Sequence, residues 1–455
     1  MLKQYAPKLP PEQYERNFAD INPPLTRSQA LEEGSRCLFC YDAPCIKACP
    51  TEIDVPQFIR QIVTENVSGA AKTILNANIM GHSCARVCPT SVLCEGACVL
   101  NMEGKRPIDI GKLQRYAVDH VMDRIQLFDP PADNGRKVAL IGAGPASLSC
   151  ATELRRQGYR TIIFDANPLP GGLDTYGIAA YKMRAADSVR EIEMVRRLGV
   201  EIHSGAEAGK DVSIEELERD FDAVFIGIGL GGTDDLGIPG EELEGCCDAL
   251  SFIKNTKELP FEKVAVGDRV AVIGGGNTAI DVVTAARRLG AREVYMIYRR
   301  GPGEMSAFEY EFELAKKDSV TFLWQTMPVR VLGQGKVEAL ACVKTELGSP
   351  DASGRRSPQP VPHSEFRLEV DMVVKALGQK RKTDFLHSIQ QLQLQNGRVA
   401  VNGDNMQTSN PKYFAGGDCV NGGAEVVDAV ADGKRAAHGI HMSLDAGAAT
   451  RRVYA

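Results

Sequence analysis

The stretch Lys137 to Cys150, KVALIGAGPASLSC, constrains this chain more than any other. Val138 to Ile141 is a short apolar run that reads as a buried strand, Gly142-Ala143-Gly144 follows at once, and Ala146 to Gln157 has the pattern of a helix. A glycine loop between a strand and a helix is the setting of a dinucleotide site. Gly142 permits the tight turn, and Gly144 lets a pyrophosphate approach the backbone. The helix opening at Pro145-Ala146 offers free N–H groups and the positive end of its dipole. Ser147 stands where a third glycine is usual. A second strand, Thr161 to Phe164, ends at Asp165, an acid about 20 residues past the loop that can accept ribose hydroxyls. An ordinary βα turn is the plain alternative, and the order strand, loop, helix, strand, acid argues against it.

The pattern recurs. Val270 to Ile273 is a strand, Gly274-Gly275-Gly276-Asn277-Thr278-Ala279 its loop, and Ile280 to Leu289 the helix. Two such loops suggest two nucleotide sites, one for FAD and one for a nicotinamide. The strand Glu293 to Tyr298 ends in Arg299-Arg300 rather than an acid; arginines there accommodate a 2′-phosphate, or are simply solvated. Pro170-Gly171-Gly172-Leu173 marks a close approach of backbone to a ligand, or a plain turn. Tyr413 to Asp418, YFAGGD, places Gly417 and Asp418 before Glu425 and a helix from Val426 to His438, where an acid and a helix N-terminus can meet a polar ligand. Glu304 to Lys317 reads as a helix and Gly348 to His363 as a polar, proline-rich loop.

Eight of the 13 cysteines lie between Cys37 and Cys98. Cys37-x2-Cys40-x4-Cys45-x3-Cys49-Pro50 is followed by Cys84-x3-Cys88-Pro89, then Cys94 and Cys98. Clustered thiolates with Cys-Pro steps are a feature of two-cluster ferredoxins. Zinc is the rival, and free buried cysteines the bland reading. The segment between the groups, Val55 to Asn78, has helical periodicity, as does Asp109 to Asp123, where Gln114 sits at the edge of the apolar stripe and is expected to be half-solvated. No run of apolar residues is long enough for a membrane span and the net charge of −6 gives no basic stripe for nucleic acid. A cytoplasmic protein is expected. The fold class is therefore α/β: two Rossmann-like nucleotide-binding domains preceded by a small α-helical iron–sulfur domain. The expected division is 1–130 for the helical domain, 131–250 plus 380–455 for the FAD domain, and 251–379 for the NAD(P) domain. Residues 1–36 read as an arm that must lie on something else to be ordered.

GAGPAS, PGGL, GGGNTAID and AGGD behind the cysteine domain resemble the flavin half shared by dihydropyrimidine dehydrogenase and the small subunit of bacterial glutamate synthase. The likeness covers about residues 25–442. GAGPASLSCA and Ile110-Gly111-Lys112-Leu113-Gln114 are similar to the pyrimidine branch, its PreT-type subunits in particular; the glutamate synthase subunits usually carry glycine where Ser147 stands. The resemblance implies one [4Fe–4S] cluster on Cys37, Cys40, Cys45 and Cys98, and a second on Cys49, Cys88, Cys94 and Gln114, with Cys84 a non-ligand. It implies FAD at the first loop, with glutamate more usual where Asp165 stands, and NADH, or NADPH, at the second. It also implies a partner: an FMN- and iron–sulfur-containing, PreA-type subunit that interconverts uracil or thymine and their dihydro forms, this chain supplying electrons from NAD(P)H. The glutamate synthase small subunit is the first alternative, and an assembly module with structural cofactors the second. Hydride transfer needs no side-chain acid, base or nucleophile, so no catalytic residue is assigned.

Overall fold

Short apolar strands alternating with helices build two parallel sheets of five strands each. The computed structural model describes residues 8–350 and 356–453. The chain first lays down β1 (Lys137–Ile141), β2 (Arg160–Asp165), β3 (Glu201–Ser204) and β4 (Ala223–Ile226). It continues through β5 (Cys246–Asp248), β6 (Arg269–Ile273), β7 (Glu293–Ile297) and β8 (Thr321–Leu323). An antiparallel group follows, β9 (Thr326–Leu332), β10 (Ala339–Pro350), β11 (Arg356–Pro360) and β12 (Phe366–Glu369), and then β13 (Met372–Lys375). A hairpin, β14 (Leu394–Gln395) and β15 (Arg398–Val399), precedes β16 (Tyr413–Ala415).

The sheets run in the orders β16-β4-β1-β2-β3 and β5-β13-β6-β7-β8. β1 and β6 are central, and each is buried over its last four residues, as a parallel strand inside a sheet must be. Both glycine loops therefore leave the middle strand of a sheet, beside the place where the strand order reverses and where α/β sheets bind ligands. The two sheets share one architecture, except that the edge strand β5 precedes its central strand while β16 ends its series.

Several elements depart from the sequence reading. The stretch expected as a loop over 348–363 forms a ribbon instead, with β11 antiparallel to β10 and a register shift between Leu347 and Pro350. β11 is an edge strand, the one place where prolines cost no ladder hydrogen bond; residues 351–355 lie outside the described residues. Glu304 to Lys317 is not one helix: Pro302–Glu304 makes a 3-10 turn and the α-helix is Glu309–Lys317. Val55 to Asn78 divides into Val55–Val63 and Val67–Ala77, because Asn66 caps the second helix by accepting the Gly69 N–H at 3.0 Å.

The chain forms two contact units. One comprises Met1–Asp20, Tyr176–Tyr181 and Gly231–Lys380; the other comprises Ile21–Thr175, Lys182–Leu230 and Arg381–Ala455. In the first unit the N-terminal helix Pro11–Asn17 is held from its end: the Phe18 ring stacks on Phe261 with centroids 4.0 Å apart, and Asn17 donates to the Arg288 carbonyl at 2.7 Å. In the second, the helices of the cysteine segment and the first sheet share one apolar core that includes Phe58, Ile74, Leu113, Leu140, Ile163 and Val430. Among the described residues, the cysteine helices thus share their core with the first nucleotide-binding sheet.

Candidate functional site

Cys37, Cys40, Cys45 and Cys98 line a single cavity, walled by apolar side chains including Leu38, Val55, Ile59 and Leu100. Local structure brings them there. The helix Arg27–Ser35, closed at its start by a Thr26–Gln29 capping box, delivers Cys37. Pro44–Lys47 carries Cys45, and Cys98 is the N-cap of Val99–Met102. Burial pushes the Cys45 thiol up to about 12, with the neighbouring Cys37 and Cys98 adding to it. Four thiols set around a shared space, with Cys37 and Cys45 kept from ionising by burial, are a donor set that a cationic cluster would relieve.

Cys88 ends the helix Gly81–Val87, and its thiol is raised well above normal by its hydrogen bond with Cys84 and by burial, then by the charges of Cys84, Cys94 and Cys49. Burial, then Glu95 and Cys49, raises Cys94 likewise. Cys49, Cys88 and Cys94 are therefore near enough to interact. Cys84 is fully enclosed and accepts from the Asn78 side-chain amide at 3.2 Å. Gln114 corrects the sequence reading. It is buried, not half-solvated, because its helix Ile110–Val121 packs on Gly81–Val87. Its Nε2 donates to the Gly81 carbonyl at 2.8 Å, so the remaining polar atom is the carbonyl oxygen.

At the first loop Gly142 has φ 88°, and a Cβ there would lie 2.6 Å from the Gly227 carbonyl oxygen. Gly144, N-cap of the helix Pro145–Arg156, would bring a Cβ no nearer than 4.0 Å to that oxygen, so its backbone is open to a ligand. Ser147 is enclosed against Gly227: a Cβ at 227 would be 2.2 Å from the Ser147 hydroxyl. The absent third glycine is thus compensated by a glycine at the end of β4. Asp165 is buried and braces the loop. Its Oδ2 accepts the Ala143 N–H at 2.6 Å and its Oδ1 the Asn167 N–H at 2.7 Å. Only the remaining lone pairs face any ribose.

The turn at Pro170 packs straight onto this loop. The Gly171 N–H donates to the Ala143 carbonyl at 2.9 Å, and a Cβ at Gly172 would stand 3.1 Å from Gly144 Cα. Leu173 follows with its side chain partly exposed. From the other side, a Cβ on Gly417 would touch that of Ala146 at 3.2 Å, and the Gly417 N–H is held by buried Asp432 at 2.9 Å. Asp418 accepts from Ala424 N–H at 3.2 Å and is raised by burial. The Glu425 N–H is bound by Asp428 at 3.1 Å where the helix Val426–Val453 begins. That helix crosses Pro145–Arg156 closely enough that a Cβ at Gly433 would strike the Ala146 carbonyl at 2.2 Å. Gly142, Gly144, Gly172, Gly417 and two helix N-termini therefore gather at one end of the first sheet. Gly227 and Asp432 were not singled out from sequence. Gly227 carried a signal, a small residue ending a buried strand; Asp432, inside a helical run, carried none.

The second loop is built alike. A Cβ at Gly274 would lie 2.2 Å from the Ala376 carbonyl, and one at Gly275 2.5 Å from the Tyr298 ring. Gly276 caps Asn277–Arg288, so the helix begins three residues before the sequence pattern suggests. Asn277 accepts the Phe308 N–H at 3.0 Å, and Ser306 N–H donates to the Gly275 carbonyl at 3.1 Å. Thr278 lies in the first turn, half-buried. Arg299 is exposed at the end of β7, while Arg300 is partly buried with its Nε enclosed and unpartnered.

Comparison with known proteins agrees with this arrangement. Residues 14–125 match the family described as dihydropyrimidine dehydrogenase domain II, 4Fe-4S cluster, and residues 136–433 match pyridine nucleotide-disulphide oxidoreductase. The chain is 38% identical to the glutamate synthase [NADPH] small chain of Escherichia coli over 458 residues, 96% of each. It is 33% identical to the NAD-dependent dihydropyrimidine dehydrogenase subunit PreT of the same organism, over 95% of this chain and 98% of that one. Among solved structures, Mycobacterium tuberculosis FprA in complex with NADPH superposes with a TM-score of 0.59 at 20% identity, over 70% of this chain and 86% of that one, a likeness of fold.

Proposed function

The chain belongs to the pyridine nucleotide-disulphide oxidoreductase family, with a 4Fe-4S segment of the dihydropyrimidine dehydrogenase type ahead of it, and we propose that it is the electron-input subunit of a dihydropyrimidine dehydrogenase. It is a flavoprotein oxidoreductase that uses a nicotinamide coenzyme. When bound, FAD would supply the conversion of a hydride from NAD(P)H into single electrons, and iron–sulfur clusters held by the cysteines would supply their onward path. The chain's own residues place those groups. Gly142, Gly144, Pro145, Ala146, Gly171, Gly172 and Leu173 form the cradle for FAD, Asp165 keeps the loop in shape, and Gly417, Asp418, Glu425 and Val426 close it. Gly274, Gly275, Gly276, Asn277 and Thr278 hold the nicotinamide nucleotide. Cys37, Cys40, Cys45 and Cys98 hold one cluster; Cys49, Cys88, Cys94 and Gln114 hold the other.

The observation that carries the pyrimidine reading is the buried Gln114, pinned by Gly81 with its carbonyl oxygen left over, at the position the pyrimidine branch implies for a ligand. The partner is then an FMN- and iron–sulfur-bearing, PreA-type subunit in a hetero-oligomer. The higher identity to a glutamate synthase small chain favours a second reading, in which the same electrons go to glutamate formation. The test is to isolate the chain with its bound partner and supply coenzyme with uracil or thymine. Consumption of pyrimidine supports the first reading; a large amidotransferase partner and glutamate formation overturn it.

NADH is the expected coenzyme on the likeness to PreT, against the hint from the two arginines. Replacing Arg299 and Arg300 together by alanine is expected to lower kcat/KM for NADPH by about tenfold, the loss of charge-assisted contacts to a 2′-phosphate, and to change that for NADH little. A wild-type protein that prefers NADPH in steady-state assays would refute the NADH assignment.

A further inference from the structure

One helix, Ala185–Arg197, touches both the turn proposed to carry flavin and the helix that bears Cys84 and Cys88. Ser188 and Glu191, one turn apart, lie on its same face. At one end the Ser188 and Thr175 hydroxyls are 2.8 Å apart, and Thr175 donates to the Pro170 carbonyl at 2.6 Å. The fit there is tight: a Cβ on Gly171 would lie 2.7 Å from the Ser188 hydroxyl and 2.9 Å from Ile192. At the other end Glu191 takes the first N–H groups of the cysteine helix. Its Oε1 accepts from His82 N–H at 2.7 Å, and its Oε2 from Ser83 N–H at 3.1 Å, with the Ser83 hydroxyl 2.5 Å away. Ser188, Glu191 and Ser83 are all fully enclosed.

A buried acid is a costly way to cap a short helix when serine or asparagine would serve at the surface. The groups facing it sharpen the point. Asp174, from the turn, and the Cys84 thiol are near enough to interact with it, and the His82 ring lies 3.1 Å from Asp119, which Arg86 also binds. Burial, with Asp174, raises Glu191 to about 8 although the Ser83 hydroxyl and the His82 and Ser83 N–H groups all donate to it, so at neutral pH its protonated form predominates. Neither Cys84 nor any residue Glu191 binds is among the proposed cluster ligands.

We infer that Glu191 is a positioning residue for electron transfer, clamping the cysteine helix against the flavin turn so that the two redox groups keep a fixed separation and a common buried environment. The inference rests on the flavin and second-cluster assignments above. A neutral Glu191 adds no charge to the junction. Ionised, it puts a negative charge beside the path, which disfavours an electron arriving there.

The test uses the purified, cofactor-loaded protein and two variants. Glu191→Gln cannot ionise yet still caps the helix: its oxygen accepts from His82 N–H and, as Oε1 already does at 3.3 Å, from Ser83 N–H, while its amide nitrogen donates to a Ser83 hydroxyl that turns to accept. In the wild type, the midpoint potential of the second cluster, read by redox titration with electron paramagnetic resonance, is expected to fall as pH rises through about 8; in Glu191→Gln that dependence is lost. Glu191→Ala removes the clamp and is expected to slow cluster reduction after flavin reduction about tenfold or more in stopped-flow traces, with flavin reduction itself unchanged. Equal pH dependence in wild type and Glu191→Gln, or wild-type cluster reduction in Glu191→Ala, overturns the inference, even if melting temperatures change. A wild type whose flavin the coenzyme does not reduce, or which shows a single cluster signal, would instead overturn the assignments beneath it.

Discussion

Cys45→Ala is expected to leave flavin reduction by the coenzyme within about twofold of wild type and to cut electron delivery to a one-electron acceptor by about a hundredfold or more, the scale of losses at metal sites. The asymmetry follows from where Cys45 sits. Its thiol is one of four around a cavity otherwise walled by carbon, and alanine there removes a donor that no neighbouring oxygen or nitrogen can replace. The proposed flavin cradle is backbone at Gly142, Gly144 and Gly172, in a different part of the fold from the four-thiol cavity. Cys342→Ala is the matched control: a buried cysteine on β10 whose loss costs packing alone, about 1 kcal/mol, and no redox signal. The measurement pairs stopped-flow bleaching of the flavin with electron paramagnetic resonance of the reduced protein. If the variant delivers electrons at the wild-type rate, the four-thiol assignment fails. If its flavin also stops responding to coenzyme, the two functions are not separable as argued.

Both glycine loops were legible because strand, turn and helix start are dictated locally. A buried apolar run, a glycine at positive φ and a helix N-terminus occupy a dozen consecutive residues, and each leaves a mark in sequence. The clustering of the cysteines was legible in the same way, but the division into two quartets came only through resemblance, since Cys98 lies over fifty residues from Cys45. What was not legible came from contacts between distant segments. Gln114 looked half-solvated on a helical wheel, and only the packing of its helix on Gly81–Val87 buries it. Asp165 read as a ribose acceptor, and nothing local in the sequence shows that its carboxylate also takes the Ala143 amide across the loop. Glu191 looked like one charge among many in a charged helix; the sequence holds no sign that its face meets the start of another helix more than a hundred residues earlier.

The second large effect separates the two nucleotide loops. Gly142→Ala is expected to lower FAD affinity by about a hundredfold, whereas Gly274→Ala is expected to keep FAD bound and to abolish coenzyme-dependent flavin reduction. An alanine at position 142 must hold a left-handed backbone, costing about 1–2 kcal/mol, and its methyl must also displace the Gly227 carbonyl that stands 2.6 Å away. That carbonyl belongs to the segment just after β4, so relief of the clash moves the same strand end that packs against Ser147 and the start of the cofactor-facing helix. The sum of strain and displacement, about 3 kcal/mol, corresponds to the stated factor. At Gly274 the obstacle is harder still, with the Ala376 carbonyl oxygen 2.2 Å from the new methyl, but it lies in the other sheet, just past β13. Flavin absorbance per protein and its isothermal titration report the first variant, and bleaching by coenzyme reports the second, with dithionite proving that its flavin remains reducible. Full FAD occupancy in Gly142→Ala would mean that the first loop does not hold the flavin. Loss of FAD from Gly274→Ala would mean that the two loops are not independent sites, and the division of labour between the sheets would have to be withdrawn.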